Sequence, residues 1–176
     1  MAHDKAPKEF LPLNCAVVTV SDTRTEANDT SGQLLAERLE KAGHKLADRA
    51  IVVDDIYQIR AVVSRLIAAD DIQVILMTGG TGFTRRDNTP EAVTPLLDKE
   101  ISGFGELFRQ LSFNDIGTST IQSRAIAGMA NECLVFCMPG SNNACATAWD
   151  QIIEAQISNQ TRPCNFVGEL KLNLPK

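Results

Sequence analysis

The sequence predicts a three-layer α/β/α sandwich built on a mostly parallel central sheet. Strand-like apolar runs alternate with helix-spaced apolar residues from end to end, joined by short connections. The run Val74, Ile75, Leu76, Met77 is apolar at every position, as expected of a strand covered on both faces. A chain of 176 residues with no internal repeat or linker makes one domain, expected over 13–166. Residues 1–12 read as a flexible tail, and 167–176 as a C-terminal tail.

Taken in order, 15–20 is a first strand followed by a polar stretch, 21–29. Leu34, Leu35, Leu39 and Ala42 share one face of a helix over 31–42, which Gly43 stops. Residues 51–53 form the centre of a second strand, and Ile56, Ile59, Val63, Leu66 and Ile67 recur at helical spacing over 56–69. The apolar run 74–77 is a third strand. Thr89 as N-cap and Pro90 at the first helical position open a third helix. Phe104, Leu107, Phe108 and Leu111 suit a short amphipathic helix over 103–111, and the small residues of 119–130 read as another helix. Residues 134–138 form a strand and 139–141 a turn. A last helix over 142–157 places Trp149, Ile152, Ile153 and Ile157 on one face.

Bulk composition narrows the function. The hydrophobic fraction is 44%, the charged fraction 22% and the formal net charge −5. That charge argues against nucleic acid or an anionic membrane as the main partner, though a local cluster of N–H groups and arginines can still hold an anionic small molecule. No run of about 18 apolar residues predicts a membrane span, and 1–9 lacks the apolar core of a signal peptide. Five unpaired cysteines without a C-x-x-C motif read as reduced thiols of a cytoplasmic protein, with Cys15, Cys133 and Cys137 as small buried hydrophobes. The two histidines are His3, in the tail, and His44, read as a surface residue at a helix end. Little material remains for Ser-His-Asp or Cys-His chemistry, which leaves carboxylates, hydroxyls, backbone dipoles and a metal.

Thr78-Gly79-Gly80-Thr81-Gly82, then Arg85-Arg86-Asp87 and Thr89-Pro90-Glu91-Ala92, is the segment richest in chemistry. Glycines let the backbone approach an anion closely, and a carboxylate there can hold the magnesium that travels with a polyphosphate. No Walker A loop and no G-x-G-x-x-G fingerprint is present. In a parallel sheet, the loops 21–29, 54–55, 78–87 and 139–141 converge outside the strands' carboxyl ends. Asp54 and Asp87 would stand beside helix N-termini there. Plainer readings remain: Asp54 or Asp55 as the N-cap of the second helix, Asp87 as a residue before a cap, Ser31 and Ser141 as N-caps, and Arg85 and Arg86 as solvated loop charges.

These residues, together with Thr19-Val20-Ser21-Asp22, Asp29-Thr30-Ser31-Gly32, Gly103-Phe104-Gly105-Glu106, Ser123-Arg124 and Met138-Pro139-Gly140-Ser141, resemble the molybdopterin-binding MogA/MoaB family in order and spacing over 13–166. Segment 117–124 and Thr161-Arg162-Pro163-Cys164-Asn165-Phe166 resemble its MoaB branch. The resemblance implies the family's α/β/α fold, a homotrimer or homohexamer, and a part in molybdenum cofactor biosynthesis beside other enzymes of that pathway. It implies adenylylation of molybdopterin by Mg-ATP, with Asp54 and Asp87 as catalytic and magnesium-holding residues. It also implies substrate contacts from Ser21, Asp29, Ser31, Gly32, Thr78, Gly79, Gly80, Thr81, Gly82, Ser119, Ser123, Arg124, Pro139, Gly140 and Ser141. A carrier that binds molybdopterin or a guanine nucleotide without turnover is the alternative.

Overall fold

The computed structural model describes residues 9–172; the tail expectations for 1–8 and 173–176 lie outside the described residues. Six strands make one sheet in the order β2-β1-β3-β6-β5-β4. They are β1 (Asn14–Val20), β2 (Lys45–Val52), β3 (Val74–Thr78), β4 (Lys99–Glu100), β5 (Ile126–Ala130) and β6 (Cys133–Met138). β1 pairs in parallel with β2 and β3, and β3 with β6; β5 runs antiparallel to β6 and β4 antiparallel to β5. The expected three-layer α/β/α sandwich with a mostly parallel sheet is the observed architecture.

Alternation along the strands builds the layers. Cys15 and Val17 of β1 face one way and join α1 (Thr30–Lys41), α4 (Ser102–Ile116) and α5 (Asn142–Ala148) in a core around Leu35, Phe104, Phe108 and Trp149. Ala16 and Val18 face the other way and meet α2 (Ile56–Ala68) and α3 (Thr89–Val93) through Ile59, Val63, Leu66 and Ala92. Val167 and Leu170 are also buried in the first core, so packing continues beyond Phe166. After α5 the helix widens into a π turn over Trp149–Ile153 and ends as α6 (Glu154–Gln156), with Trp149, Ile152, Ile153 and Ile157 all buried.

Three sequence expectations are corrected. Segment 119–130 is not a helix: a 3-10 turn over Gly117–Gln122 leads into β5, which forms a hairpin with β6. The connecting residues Asn131 and Glu132 both have positive φ, 48° and 55°, the conformation a two-residue hairpin needs. His44 is not at the surface. It is 4% exposed, accepts the Leu13 amide at Nδ1 (3.2 Å) and packs against Phe10. Burial lowers its pKa. The third cap is one residue earlier than expected: Asn88 stands at the N-cap of α3, and Thr89 instead donates its hydroxyl to the Gly79 carbonyl at 2.8 Å. The amphipathic helix expected over 103–111 is extended to Ser102–Ile116.

Candidate functional site

The chain steps from β1 outward to β2, then returns across β1 to β3, so the order reverses between β1 and β3. Loops leaving neighbouring strands in opposite directions open a crevice at such a point. The loop after β1 carries Ser21 and Asp22, the turn after β2 carries Asp54, and the loop after β3 runs from Gly79 to Asn88.

Two neighbouring aspartates have different tasks. Asp55 caps α2, accepting the Tyr57 and Gln58 amides at 3.0 Å each. Asp54 turns inward, is 5% exposed, and accepts both the Asn88 amide (3.0 Å) and the Asn88 side-chain NH2 (2.9 Å) on Oδ1. Its own amide donates to Asp22 Oδ1 at 3.0 Å, and Asp22 is held by a bidentate pair with Arg86 at 2.6 and 2.8 Å. Desolvation, with the like charges of Asp87 and Asp22, raises the Asp54 pKa in spite of the Asn88 hydrogen bonds. Asp87 shows the opposite balance. Partial burial pushes its pKa up, but donation from Thr84 and Gly82 and the charge of Arg124 outweigh this and lower it.

The glycine pattern follows from where these carboxylates sit. A Cβ on Gly80 would stand 2.7 Å from Asp54 Oδ2, and one on Gly82 would stand 2.8 Å from Asp87 Oδ2. Neither distance is tolerable, so each glycine lets a carboxylate lie against the loop backbone. Thr89 clamps the other side through its amide to the Gly80 carbonyl (2.9 Å). Among the described residues the amides of Gly80 and Thr81 donate to no protein acceptor. The loop therefore presents bare N–H groups between two carboxylates.

Arg124 braces this loop. Its amide donates to Thr81 O at 3.1 Å, Nε to Gly82 O at 2.8 Å and Nη2 to Asp87 O at 2.7 Å. Nη1 pairs with Glu91, and the guanidinium lies 5.1 Å from the Phe83 ring centroid. Each of its three guanidinium nitrogens donates to protein, so it shapes the loop while two of its five N–H donors stay unengaged by described residues.

The other expected residues fall into distinct places. Thr78 is fully buried and bonded to the Pro139 carbonyl and to Cys145, and the Gly79 amide donates to Met138 O. Asp29, 2% exposed, caps α1 through the Gly32 amide and receives Thr19 and Arg49 on its other oxygen, so the first cap is Asp29 and not Ser31. Ser31 and Gly32 are buried in the first turn of α1. The Ser21 hydroxyl accepts the Thr23 and Arg24 amides, which shapes its own loop. Ser141 caps α5 through the Ala144 amide. Thr30 donates to Asn142 at 3.0 Å, which joins the starts of α1 and α5. Pro139, Ser141, Thr120 and Ser123 line a small groove of about 100 Å³. Ser119 and Gly140 are exposed, and the Ser123 hydroxyl is buried without a partner among the described residues. Sequence reasoning missed Asp22 and Asn88 as the residues that hold Asp54. No local signal marks either, because Asp22 meets Arg86 across a sequence separation of 64.

The profile described as probable molybdopterin binding domain matches residues 16–159. The chain belongs to this molybdopterin-binding family. Molybdenum cofactor biosynthesis protein B of Escherichia coli (strain K12) is 56% identical over 163 residues, covering 93% of this chain and 96% of that protein. A crystal structure of a molybdenum cofactor biosynthesis protein B superposes with a TM-score of 0.81 at 49% identity, covering 87% and 94% of the two chains. The tungsten cofactor synthesizing protein MoaB from Pyrococcus furiosus gives a TM-score of 0.72 at 39% identity, covering 84% and 92%. Membership of the MoaB-type family supports a part in molybdenum cofactor biosynthesis. No described helix is long and apolar enough to cross a membrane.

Magnesium can be tested against the residues present. No group of three or more metal-binding side chains converges among the described residues. A resident all-protein cage is therefore absent from this region. Magnesium carried on a polyphosphate needs only one or two carboxylates, since phosphates and waters complete its octahedron. Asp54 Oδ2 accepts no hydrogen bond from the described residues, and the Asp54 and Asp87 carboxylates flank the bare amides. The donor set fits a metal that arrives with its substrate.

Proposed function

We propose that this chain binds molybdopterin and adenylylates it with ATP, releasing pyrophosphate. The observation that carries the reading is the glycine loop with free Gly80 and Thr81 amides between Asp54 and Asp87. A terminal phosphate oxygen of molybdopterin forms the new bond to the α-phosphorus of ATP, the bond from that phosphorus to the bridging oxygen breaks, and pyrophosphate leaves. A phosphate monoester is ionised near neutral pH, so the step needs no histidine base. The task is to suppress repulsion between two anions. The amides of Gly80 and Thr81 receive phosphate oxygens, Arg124 fixes the loop that presents them, and Asn88 with Asp22 fixes Asp54. Magnesium held by Asp54 and Asp87 would neutralise charge on the ATP phosphates.

The exposed apolar side chains Leu107, Phe113 and Ile116 on α4 support assembly into a homotrimer or homohexamer. A second reading, a molybdopterin carrier without turnover, is favoured by the lack of a fuller acidic cluster among the described residues. Pyrophosphate release from protein, molybdopterin and Mg-ATP separates the two. The adenylyltransferase reading expects release in the parent and a loss of about a hundredfold or more in Asp87→Asn. Tight molybdopterin binding with no pyrophosphate would establish the carrier instead.

A further inference from the structure

The large apolar side chains left exposed divide into two groups. Leu107, Phe113, Ile116 and Ile121 belong to α4 and the 3-10 turn after it, while Val53, Tyr57 and Phe83 stand around the carboxylates. Val53 precedes Asp54, Tyr57 lies in the first turn of α2, and Phe83 follows Gly82 on the phosphate loop. Phe83 is 69% exposed although the Arg124 guanidinium already lies over its ring. Arg124 is itself held from several sides. It belongs to the strap Ser123–Arg124, which walls a cleft of about 430 Å³ together with Leu97, Ile101 and Ile121. Its Nε donates to Gly82 O, the carbonyl next to Phe83. On the other side of the ring, the Thr84 amide donates to Asp87 Oδ2 at 2.8 Å. The phenyl ring therefore rises from a fixed stretch of backbone, with a cation behind one face and the other face open.

An open aromatic face is a stacking platform for a nucleic acid base, because such stacking needs no hydrogen bonds at the base edge and tolerates every base. Chain geometry brings the platform within reach of the phosphates. Phe83 lies two residues from Thr81, whose amide is free, so at most about 7 Å of backbone separates them. In a nucleotide a single ribose separates the phosphates from the base. Tyr57 also has a guanidinium over its ring, Arg60 at 5.8 Å, but it rises from α2 and not from the loop that carries the free amides. We propose that the open face of Phe83 stacks on the base of the nucleoside triphosphate, so that the nucleotide is chosen by its phosphates and not by the identity of its base. The inference rests on the adenylylation reading of the phosphate loop and adds to it the place and the selectivity of the base.

The test measures binding of Mg-ATP, Mg-GTP and inorganic tripolyphosphate to the full chain by calorimetry, without molybdopterin so that nothing turns over. Phe83→Ala is expected to weaken ATP and GTP alike by about tenfold, the scale of one base–aromatic stack, and to leave tripolyphosphate within about twofold. Tm stays at the parent value because the side chain is exposed. Phe83→Tyr restores nucleotide affinity. Phe83→Trp adds an indole whose emission ATP quenches and tripolyphosphate does not, while the native Trp149 is shielded at 1% exposure. An equal loss for ATP and tripolyphosphate in Phe83→Ala assigns the ring to loop shape and overturns the proposal. An unchanged ATP affinity in Phe83→Ala, a loss found in Tyr57→Ala instead, or a parent that prefers ATP to GTP by more than about tenfold, beyond what base-tolerant stacking allows, overturns it as well. A parent that binds neither ATP nor tripolyphosphate overturns the proposal together with the nucleotide half of the adenylylation reading. Pyrophosphate release with an ATP affinity indifferent to Phe83→Ala overturns the base site alone. Base-dependent binding with no pyrophosphate once molybdopterin is added overturns adenylylation alone.

Discussion

The phosphate loop and the cleft beside it share one strap, yet they manage charge in opposite ways. Around the loop the ionised groups other than Arg85 are tied to neighbours: Asp22 to Arg86, Asp54 to Asn88, Asp87 to Thr84 and Arg124 to three segments. Around the cleft, Glu100 and Glu106 are untied, and Ile121 is 74% exposed. The loop's geometry is already fixed by folding, so little ordering is left for the moment of binding. The cleft keeps its acceptors and apolar area unspent, and these become available to a ligand. A rigid site for charge thus stands beside an open one for shape.

The largest expected effect breaks the rigid side. Gly82→Ala places a methyl group where Asp87 Oδ2 lies. Displacing that carboxylate by about 1 Å should lower pyrophosphate release roughly a hundredfold, with circular dichroism unchanged. Unchanged kinetics would show that the position of Asp87 does not matter. On the cleft side, Phe104 contacts Phe108 and Phe136 with centroids at 6.1 and 5.2 Å, and it anchors α4. Phe104→Ala should cost about 3–5 kcal/mol in denaturant unfolding. A loss below about 1 kcal/mol, the scale of a site that collapses around the missing ring, would mean that α4 is held from elsewhere.

A smaller effect sharpens the comparison by separating function from stability. Because the pKa of Asp54 is raised in the folded protein, ionised Asp54 lowers stability above that value, and this penalty vanishes as pH falls towards the unfolded 3.8. Asp54→Asn should therefore raise Tm slightly at neutral pH while abolishing pyrophosphate release, a gain that shrinks in acid. A lower Tm at pH 7 would count against the burial argument. The smallest effect lies at the opposite end of the sheet. His44 is held neutral, so the unfolded chain binds its proton more readily and stability declines as pH drops through 6.5. His44→Asn, which keeps an acceptor for the Leu13 amide, should flatten Tm between pH 7 and pH 5, a range taken around the histidine value of about 6.5.

The same division explains what the sequence made legible. β1, β3 and β6 could be read because their apolar runs are local signals, and α1, α2 and the last helix because their apolar residues recur at helical spacing. β5 was hidden: Ile126-Ala127-Gly128-Met129-Ala130 has no alternation and is a strand only through its pairing with β6. Asn131, a residue tolerant of positive φ, was the one local hint of that hairpin. At the site, the glycines stood out by type and spacing, and the family resemblance picked out Asp54 and Asp87 from plainer capping readings. Their supports did not, because Asp22 to Arg86 and Asn88 to Asp54 are contacts across the fold. The bracing role of Arg124 was equally invisible, since a sequence lists a guanidinium without its acceptors.

The strand thiols have a further consequence. Burial pushes the pKa of Cys133 up to about 12 and that of Cys145 up to about 11, and moves Cys15 and Cys137 higher still. These four are buried and Cys164 alone is exposed among the five. A water-borne alkylating reagent thus meets a single addressable atom on the intact molecule, and the remainder only after the sheet opens. Dye stoichiometry per chain becomes an unfolding gauge written into the native sequence, with Cys164 as an attachment point that leaves the packed thiols untouched.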